Sequence, residues 1–236
     1  MATPDEPATI HRIRVGETNC YLVRSAGGTI LVDPGPPGSA PAIAAGAAAA
    51  GVAPGDVRLI LVTHGHLDHY GAAGDAQAWC GASIAAHPLA PGLSRDRRNA
   101  LPPAQTLRGS LVRWAYLLLA PLLPLRPLEV GVFLEDDEDL SAYGLKGRTV
   151  ELPGHAPGSL GIVTARGDAL VGDLLVNYAV PSQPLYLSDR DAWQASYERL
   201  RSLEPRRVYV GHGEPFAGQA LARIYPGRYQ FRWWVR

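Results

Sequence analysis

The run Thr63-His64-Gly65-His66-Leu67-Asp68-His69 places three histidines and an aspartate within six residues. Neutral imidazole is the commonest nitrogen donor to zinc, and carboxylate oxygen is a second ordinary donor. Successive side chains of an extended segment alternate faces. His64 and His66, two apart, therefore project to the same side and can share one ion. Asp68 and His69 follow at the start of the next predicted helix and can reach a second ion. His155, Asp173 and His212 each follow a predicted strand beside glycine, in Gly154-His155, Gly172-Asp173 and Gly211-His212-Gly213. Glycine there permits a sharp turn and close approach of the backbone. A strand-end histidine taken singly is more often structural than a ligand. Together these residues gather five of the 7 histidines and two aspartates, about what two ions with three or four protein ligands each require.

The elements that must hold these residues are short strands and helices. Asn19–Val23 and Thr29–Val32 are β-prone runs joined by a turn at Ala26-Gly27-Gly28, and the second ends at Asp33-Pro34-Gly35. Pro41–Ala50 is an alanine-rich helix closed by Gly51. Val57–Val62 is a nearly continuous apolar strand that delivers the chain to Thr63-His64. A helix is predicted over Tyr70–Trp79, then a strand over Ser83–Ala86. Pro88–Pro103 reads as a loop and Leu107–Ala120 as a helix stopped by Pro121; the acidic run Glu135–Asp139 reads as a solvated turn. In the second half, Arg148–Leu152 leads into His155, Leu160–Ala165 and Ala169–Val171 form a hairpin ending at Asp173, Asp191–Leu203 is a helix, and Arg207–Val210 leads into His212. Hairpins mixed with helices point to α/β layering around a mixed sheet.

Composition narrows the function classes. At 236 residues the chain suits a single domain spanning 1–236, with an insert at 88–128. The 22 basic and 22 acidic side chains give zero net charge, which argues against a nucleic-acid binder. Cys20 and Cys80 are too few for a disulfide framework or a cysteine zinc site. Residues 1–10 lack a basic and then apolar leader, and the apolar stretch Trp114–Leu125 is too short to span a bilayer and carries Pro121 and Pro124. A cytoplasmic location without an integral membrane segment is the expectation.

The string Thr63–His69, followed by Leu152-Pro153-Gly154-His155-Ala156-Pro157-Gly158-Ser159, Gly172-Asp173 and Gly211-His212-Gly213, resembles the metallo-β-lactamase fold superfamily in order and spacing over roughly residues 10 to 220. The resemblance implies a four-layer αββα sandwich of two mixed β-sheets, helices outside, and a metal site at one edge. It implies that His64, His66 and His155 bind one divalent ion, that Asp68, His69 and His212 bind a second, and that Asp173 bridges both. It gives Asp33 the part of orienting ligands from behind, where the residues alone also allow a plain turn aspartate. Gly71-Ala72 stands where the family often has two glycines, a departure that removes no ligand.

Two close cations lower the pKa of a shared water and supply hydroxide near neutral pH. The expected reaction is therefore hydrolysis of a small acyl substrate, an ester, thioester or lactone, by a metal-bridging hydroxide, with Asp68 as the catalytic residue that orients the nucleophile and moves its proton. Zinc is the first expectation for both ions, with manganese and iron also suited to these donors. Asp173 separates the chain from true β-lactamases and brings it nearer to glyoxalase II-type thioesterases and lactonases. Residues 213–236 leave no room for the glutathione-holding helical domain of glyoxalase II. Val176 stands where quorum-quenching lactonases carry tyrosine, with Tyr178 nearby. RNA-processing members need a basic exosite arm that this composition does not favour, and His66 excludes the flavodiiron branch. A mononuclear iron persulfide dioxygenase on the same framework is the alternative, and a non-catalytic binding module is a third. Trp114 and Tyr116, in an insert flanked by Arg95, Arg97, Arg98, Arg108 and Arg113, are candidate substrate contacts beside Tyr178. The insert reads equally as an acyl-binding lid or as a helix packed on the core or on a second subunit, so a homodimer stays open. The aromatic tail, Tyr225 to Trp234, reads as packing or subunit contact.

Overall fold

The structure, a computed structural model, describes residues 8–90, 110, 111, 114, 115, 118 and 125–224. The first sheet runs in spatial order β1 (Thr9–Val15), β2 (Thr18–Ser25), β3 (Gly28–Val32), β4 (Val57–Leu61), β5 (Ser83–Ala86) and β6 (Val130–Phe133). Its first three strands are antiparallel, and β3 to β6 are parallel. Between them in sequence lie helices α1 (Ala40–Ala49), α2 (Leu67–Tyr70) and α3 (Ala73–Cys80). The second sheet contains β7 (Gly147–Glu151), β8 (Leu160–Thr164), β9 (Asp168–Leu170), β10 (Arg207–Tyr209) and β11 (Phe216–Ala217), in the order 11-10-9-8-7. Only the β9–β10 pair is parallel among these. Helix α4 (Arg190–Ser202) precedes β10.

The alternation of side chains along each strand builds the layers. Leu22, Leu31, Ile60 and Ile84 form one core with Ile43 and Ala47 of α1 and Ala73 and Ala76 of α3. Their neighbours Val23, Ile30, Leu59, Leu61 and Ala85 form a second with Leu160, Ile162 and Leu170 of the opposite sheet. Val150, Ala169 and Val208 then cover Trp193, Tyr197 and Leu200 of α4 in a third. Three cores between four layers make the expected αββα sandwich, with both sheets mixed. Strands buried on both faces read as apolar runs, which is why β3 and β4 are evident in the sequence.

Three strands escape the sequence reading, and all are sheet edges: β1, β6 and β11. In β1 the alternation is interrupted by His11, Arg12 and Arg14, because an edge strand faces solvent. The helix predicted over Tyr70–Trp79 is instead two pieces, α2 and α3, broken at Gly71-Ala72. The cause is local. The Ala72 N–H turns to the Gly35 carbonyl, and a Cβ on Gly71 would lie 2.4 Å from both the Leu67 oxygen and Pro37 Cδ. The bare glycine lets the turn after Asp33 press against α2. In the insert, residues 110, 111, 114, 115 and 118 are helical, in line with the predicted helix, and Leu111, Trp114 and Leu118 face solvent. The other residues of the span predicted as a helix, Tyr116 among them, and the tail from Tyr225 lie outside the described residues. No helix among the described residues is long and apolar enough to cross a membrane.

Helix α4 is started by Asp189, whose carboxylate accepts from the Asp191 and Ala192 amides. It holds the site as well as the core. A Cβ on Gly154, which has φ +123°, would lie 2.2 Å from the Trp193 nitrogen, so α4 sits directly on the turn before His155. Trp193 stacks on Tyr197 at 5.5 Å and donates its indole N–H to the Leu174 carbonyl at 2.7 Å. Trp193→Ala is expected to lower unfolding free energy by about 3–5 kcal/mol. Trp193→Phe, which keeps most of the volume but orphans that carbonyl, should cost about 1–3 kcal/mol. Urea denaturation of the two variants checks the order.

Candidate metal centre

Every predicted ligand sits at one edge of the sandwich, just past the carboxyl end of a strand or on the short helix beyond it. His64 and His66 follow β4, His155 follows β7, Asp173 follows β9 and His212 follows β10, while Asp68 and His69 lie on α2. His66 Nδ1 is 3.1 Å from His64 Nε2 and 2.9 Å from His155 Nε2. On the other side, His69 Nε2 and His212 Nε2 are 3.3 Å apart, and Asp68 Oδ2 lies 3.7 and 3.3 Å from them. Asp173 stands between the two groups. Its Oδ2 is 3.2 Å from His212 Nε2 and 3.5 Å from His155 Nε2, and its Oδ1 is 3.5 Å from His69 Nε2. Donor atoms within each of three sets, His64–His66–His155, Asp68–His69–His212 and His64–His69–Asp173, all fall within 4.8 Å of one another and could hold a metal ion. Nitrogens bound at about 2.0–2.1 Å around a tetrahedral ion would be spaced about 3.4 Å apart, close to these separations.

Partners behind the imidazoles fix which nitrogen faces inward. Asp33, at the end of β3 with φ 52°, has Oδ2 2.8 Å from His69 Nδ1 and accepts from the Thr63 amide and hydroxyl. Thr63 Oγ1 is 2.9 Å from His64 Nδ1. His155 Nδ1 donates to the Tyr186 carbonyl at 2.8 Å, and His212 Nδ1 to the Glu17 carbonyl at 2.9 Å. A proton held on Nδ1 leaves Nε2 a bare donor. No sequence signal marks the contacts of Tyr186 and Glu17 with these candidate ligands, since any residue supplies a carbonyl. Asn19 is unmarked in the same way. Its side chain donates to the Val210 and Gly213 carbonyls, and its amide to Gly211, holding the His212 turn against β2. The two remaining histidines stand apart; His87 pairs with Glu151 at 2.8 Å, and His11 is on β1.

The electrostatics of the cluster call for added positive charge. Burial keeps His64, His66 and His155 neutral, with neighbouring imidazoles adding to the effect at His64 and His66; His66 is lowered to about 3. Burial pushes the same way at His69, but Asp173, Asp33 and Asp68 outweigh it and raise that imidazole to about 10. His212 is raised for the same reason, chiefly by Asp173. Burial opposes ionisation of Asp173, yet His212 and His69 hold its carboxyl well below the usual range. Protons on His69 and His212 thus occupy a place that a divalent cation can take. Asp173 Oδ1 is buried without a hydrogen-bond partner among the described residues. Such an oxygen is costly unless something cationic satisfies it. The donor set fits divalent metal.

The substrate candidates are placed unequally. Tyr178 is half exposed, and its ring lies 6.3 Å from that of His212 at an interplanar angle of 23°. Trp114 is 68% exposed on its helix, and Tyr116 lies outside the described residues. Asp68 is the most open of the candidate ligands, with 42% of its side chain exposed.

Residues 13–212 match the family model of the Metallo-beta-lactamase superfamily. The chain is similar to Metallo-beta-lactamase domain-containing protein 1 of Homo sapiens, with 31% identity over 222 residues, which is 89% of this chain and 68% of that protein. It is also similar to a hydroxyacylglutathione hydrolase of Anaeromyxobacter dehalogenans, with 32% identity over 165 residues, which is 70% of this chain and 49% of that protein. Among solved structures, TTHA1623 in a di-iron-bound form has a TM-score of 0.65 and 27% identity, with 92% of this chain and 98% of that one covered.

The centre leaves little space behind Asp173. A Cβ on Gly211 would lie 2.1 Å from Asp173 Oδ1 and 2.6 Å from His69 Cε1. Gly211→Ala is expected to weaken metal binding by about tenfold or more while leaving the circular dichroism spectrum unchanged. Equal metal affinity in variant and wild type would contradict the packing described.

Proposed function

The chain belongs to the metallo-β-lactamase superfamily, and from that premise we propose that it is a binuclear metal-dependent hydrolase of an ester, thioester or lactone. The observation that carries the reading is Asp173, whose two oxygens lie within 3.5 Å of donor nitrogens from both triads. His64, His66 and His155 would hold one ion, Asp68, His69 and His212 the other, and Asp173 both. Similarity to a hydroxyacylglutathione hydrolase and to a di-iron protein supports acyl chemistry and a pair of metals. Zinc, manganese and iron all suit imidazole and carboxylate.

A pair of divalent cations supplies Lewis acidity and acidified water in such a site. The side chains do the rest. Asp68, open to solvent and with Oδ2 facing His212, would orient the nucleophile and hold its proton. The Tyr178 ring, stacked beside His212, would lie against the acyl or leaving group, and Trp114 and Tyr116 are proposed as further substrate contacts. Buried Thr63, Asp33, His155 and His69 keep their positions through hydrogen bonds that solvent does not contest. Neither cysteine serves as a nucleophile, since burial pushes the thiols of Cys20 and Cys80 up, away from the reactive thiolate.

Metal analysis of protein purified without chelator tests the reading, together with a panel of neutral and charged esters, thioesters and lactones. About two equivalents per chain are expected, and removal of metal should abolish hydrolysis. Asp68→Ala should lower kcat by about 10²–10⁴-fold. A single equivalent of iron, with oxygen uptake on a persulfide and no hydrolysis, would overturn the proposal in favour of oxidation.

A further inference from the structure

We infer that Thr63 is a positioning residue that ties one ligand of each candidate triad to a single carboxylate, that of Asp33. Thr63 is 1% exposed, and each of its polar groups has a partner. Its amide donates to Asp33 Oδ1 at 2.8 Å, and its carbonyl accepts from the Leu160 amide of the opposite sheet at 2.8 Å. Its Oγ1 lies 2.8 Å from Asp33 Oδ2 and 2.9 Å from His64 Nδ1.

The proton count gives these contacts a direction. A carboxylate only accepts, and a hydroxyl has one proton to give. That proton goes to Asp33; reversing it would leave two acceptor oxygens facing each other. The lone pairs remaining on Oγ1 then require a donor, and His64 Nδ1 is the atom that faces them. His64 is thereby fixed as its Nδ1–H form, with Nε2 bare toward His66 at 3.1 Å. Asp33 Oδ2 meanwhile takes His69 Nδ1 directly, at 2.8 Å. One carboxylate therefore orients His69 by contact and His64 through a threonine hydroxyl.

The space for that hydroxyl is provided from the second sheet. Gly172, with φ +51°, precedes Asp173, and a Cβ there would come within 2.7 Å of Thr63 Oγ1. The glycine beside Asp173 is thus bare on the side where the relay passes.

The inference rests on the proposed metal-binding reading, except in its account of the His64 tautomer. Thr63→Val removes the hydroxyl and keeps the branched shape; Thr63→Ser keeps the hydroxyl. Zinc affinity is measured by competition with a chromophoric chelator on the full chain. Thr63→Val is expected to weaken one of two zinc ions by about 10–100-fold and leave the other within about threefold. Thr63→Ser should restore the first, and Asp33→Asn should weaken both. Long-range proton–nitrogen correlation of the metal-free protein should show His64 as the Nδ1–H tautomer in wild type and Thr63→Ser, and not in Thr63→Val. Unchanged zinc affinities and an unchanged tautomer in Thr63→Val would overturn the inference. So would equal weakening of both ions without rescue by serine, which is the mark of general destabilisation. Wild-type protein that binds no zinc, manganese or iron would defeat the proposed function, while the tautomer readout would still decide the relay.

Discussion

A buried carboxylate that must be fully satisfied sets the arrangement of this centre. Asp33 lies 2% exposed at the end of β3 and is surrounded by the Thr63 amide, the Thr63 hydroxyl and His69 Nδ1. An ionised carboxylate cannot rest in such a place unpaired. Its backbone is left-handed, at φ 52°, a conformation that aspartate adopts more readily than most residues but still at a cost. Hydrogen bonds to a charged group, worth about 1.5–3 kcal/mol each, offset that cost. The same turn then carries the chain to Gly35, whose amide and carbonyl bond His69 and Ala72 and shape the start of α2 and its break. The second half of the His64–His69 run is therefore held by a turn some 30 residues earlier in the chain.

The sandwich turns these local arrangements into a shared edge. Parallel β3, β4 and β5 end on one side, and β9 and β10, parallel to each other, bring Asp173 and His212 to the same place. The two sheets are joined beside the site by polar contacts as well as by the core between them. The Tyr21 hydroxyl donates to the Val210 carbonyl at 2.7 Å, and its ring meets Tyr209 edge-on. Leu160 bonds to Thr63 across the sandwich. The buried His64, His66 and His155, in which burial disfavours protonation, can crowd together only where the surrounding backbone is fixed this firmly.

The candidate ligands stand out in the sequence because their chemistry resides in residue type. Histidine and aspartate at a two- and three-residue spacing after an apolar strand state a purpose that few other patterns share. The layers are legible because doubly buried strands such as Val57–Leu61 cannot be polar. The orienting partners are not legible. The carbonyls of Glu17 and Tyr186 act through backbone, and the identities of those residues are indifferent. Asn19 is one asparagine among ordinary strand residues until β2 is laid against the His212 turn. Edge strands β1, β6 and β11 lack the apolar signature because one side or one neighbour is missing. The break at Gly71-Ala72 was hidden because helical spacing continues through it; tertiary contact with Pro37, not local propensity, decides it.

The provenance of the candidate ligands has a consequence for the stability of the fold. Each of the three candidate sets draws two donors from the His64–His69 segment that follows β4 and one, His155, Asp173 or His212, from a turn of the second sheet. None of these sets exists until the sheets have docked. Any cation held there is bound by the native sandwich and not by the separated halves. By mass action, its free concentration adds RT ln(1 + [M]/Kd) to stability for each independent site, about 2.7 kcal/mol when the ion is present at a hundred times its dissociation constant. A cation held at the edge of the sandwich would therefore act as a reversible staple, its free concentration adding to the equilibrium stability of the fold.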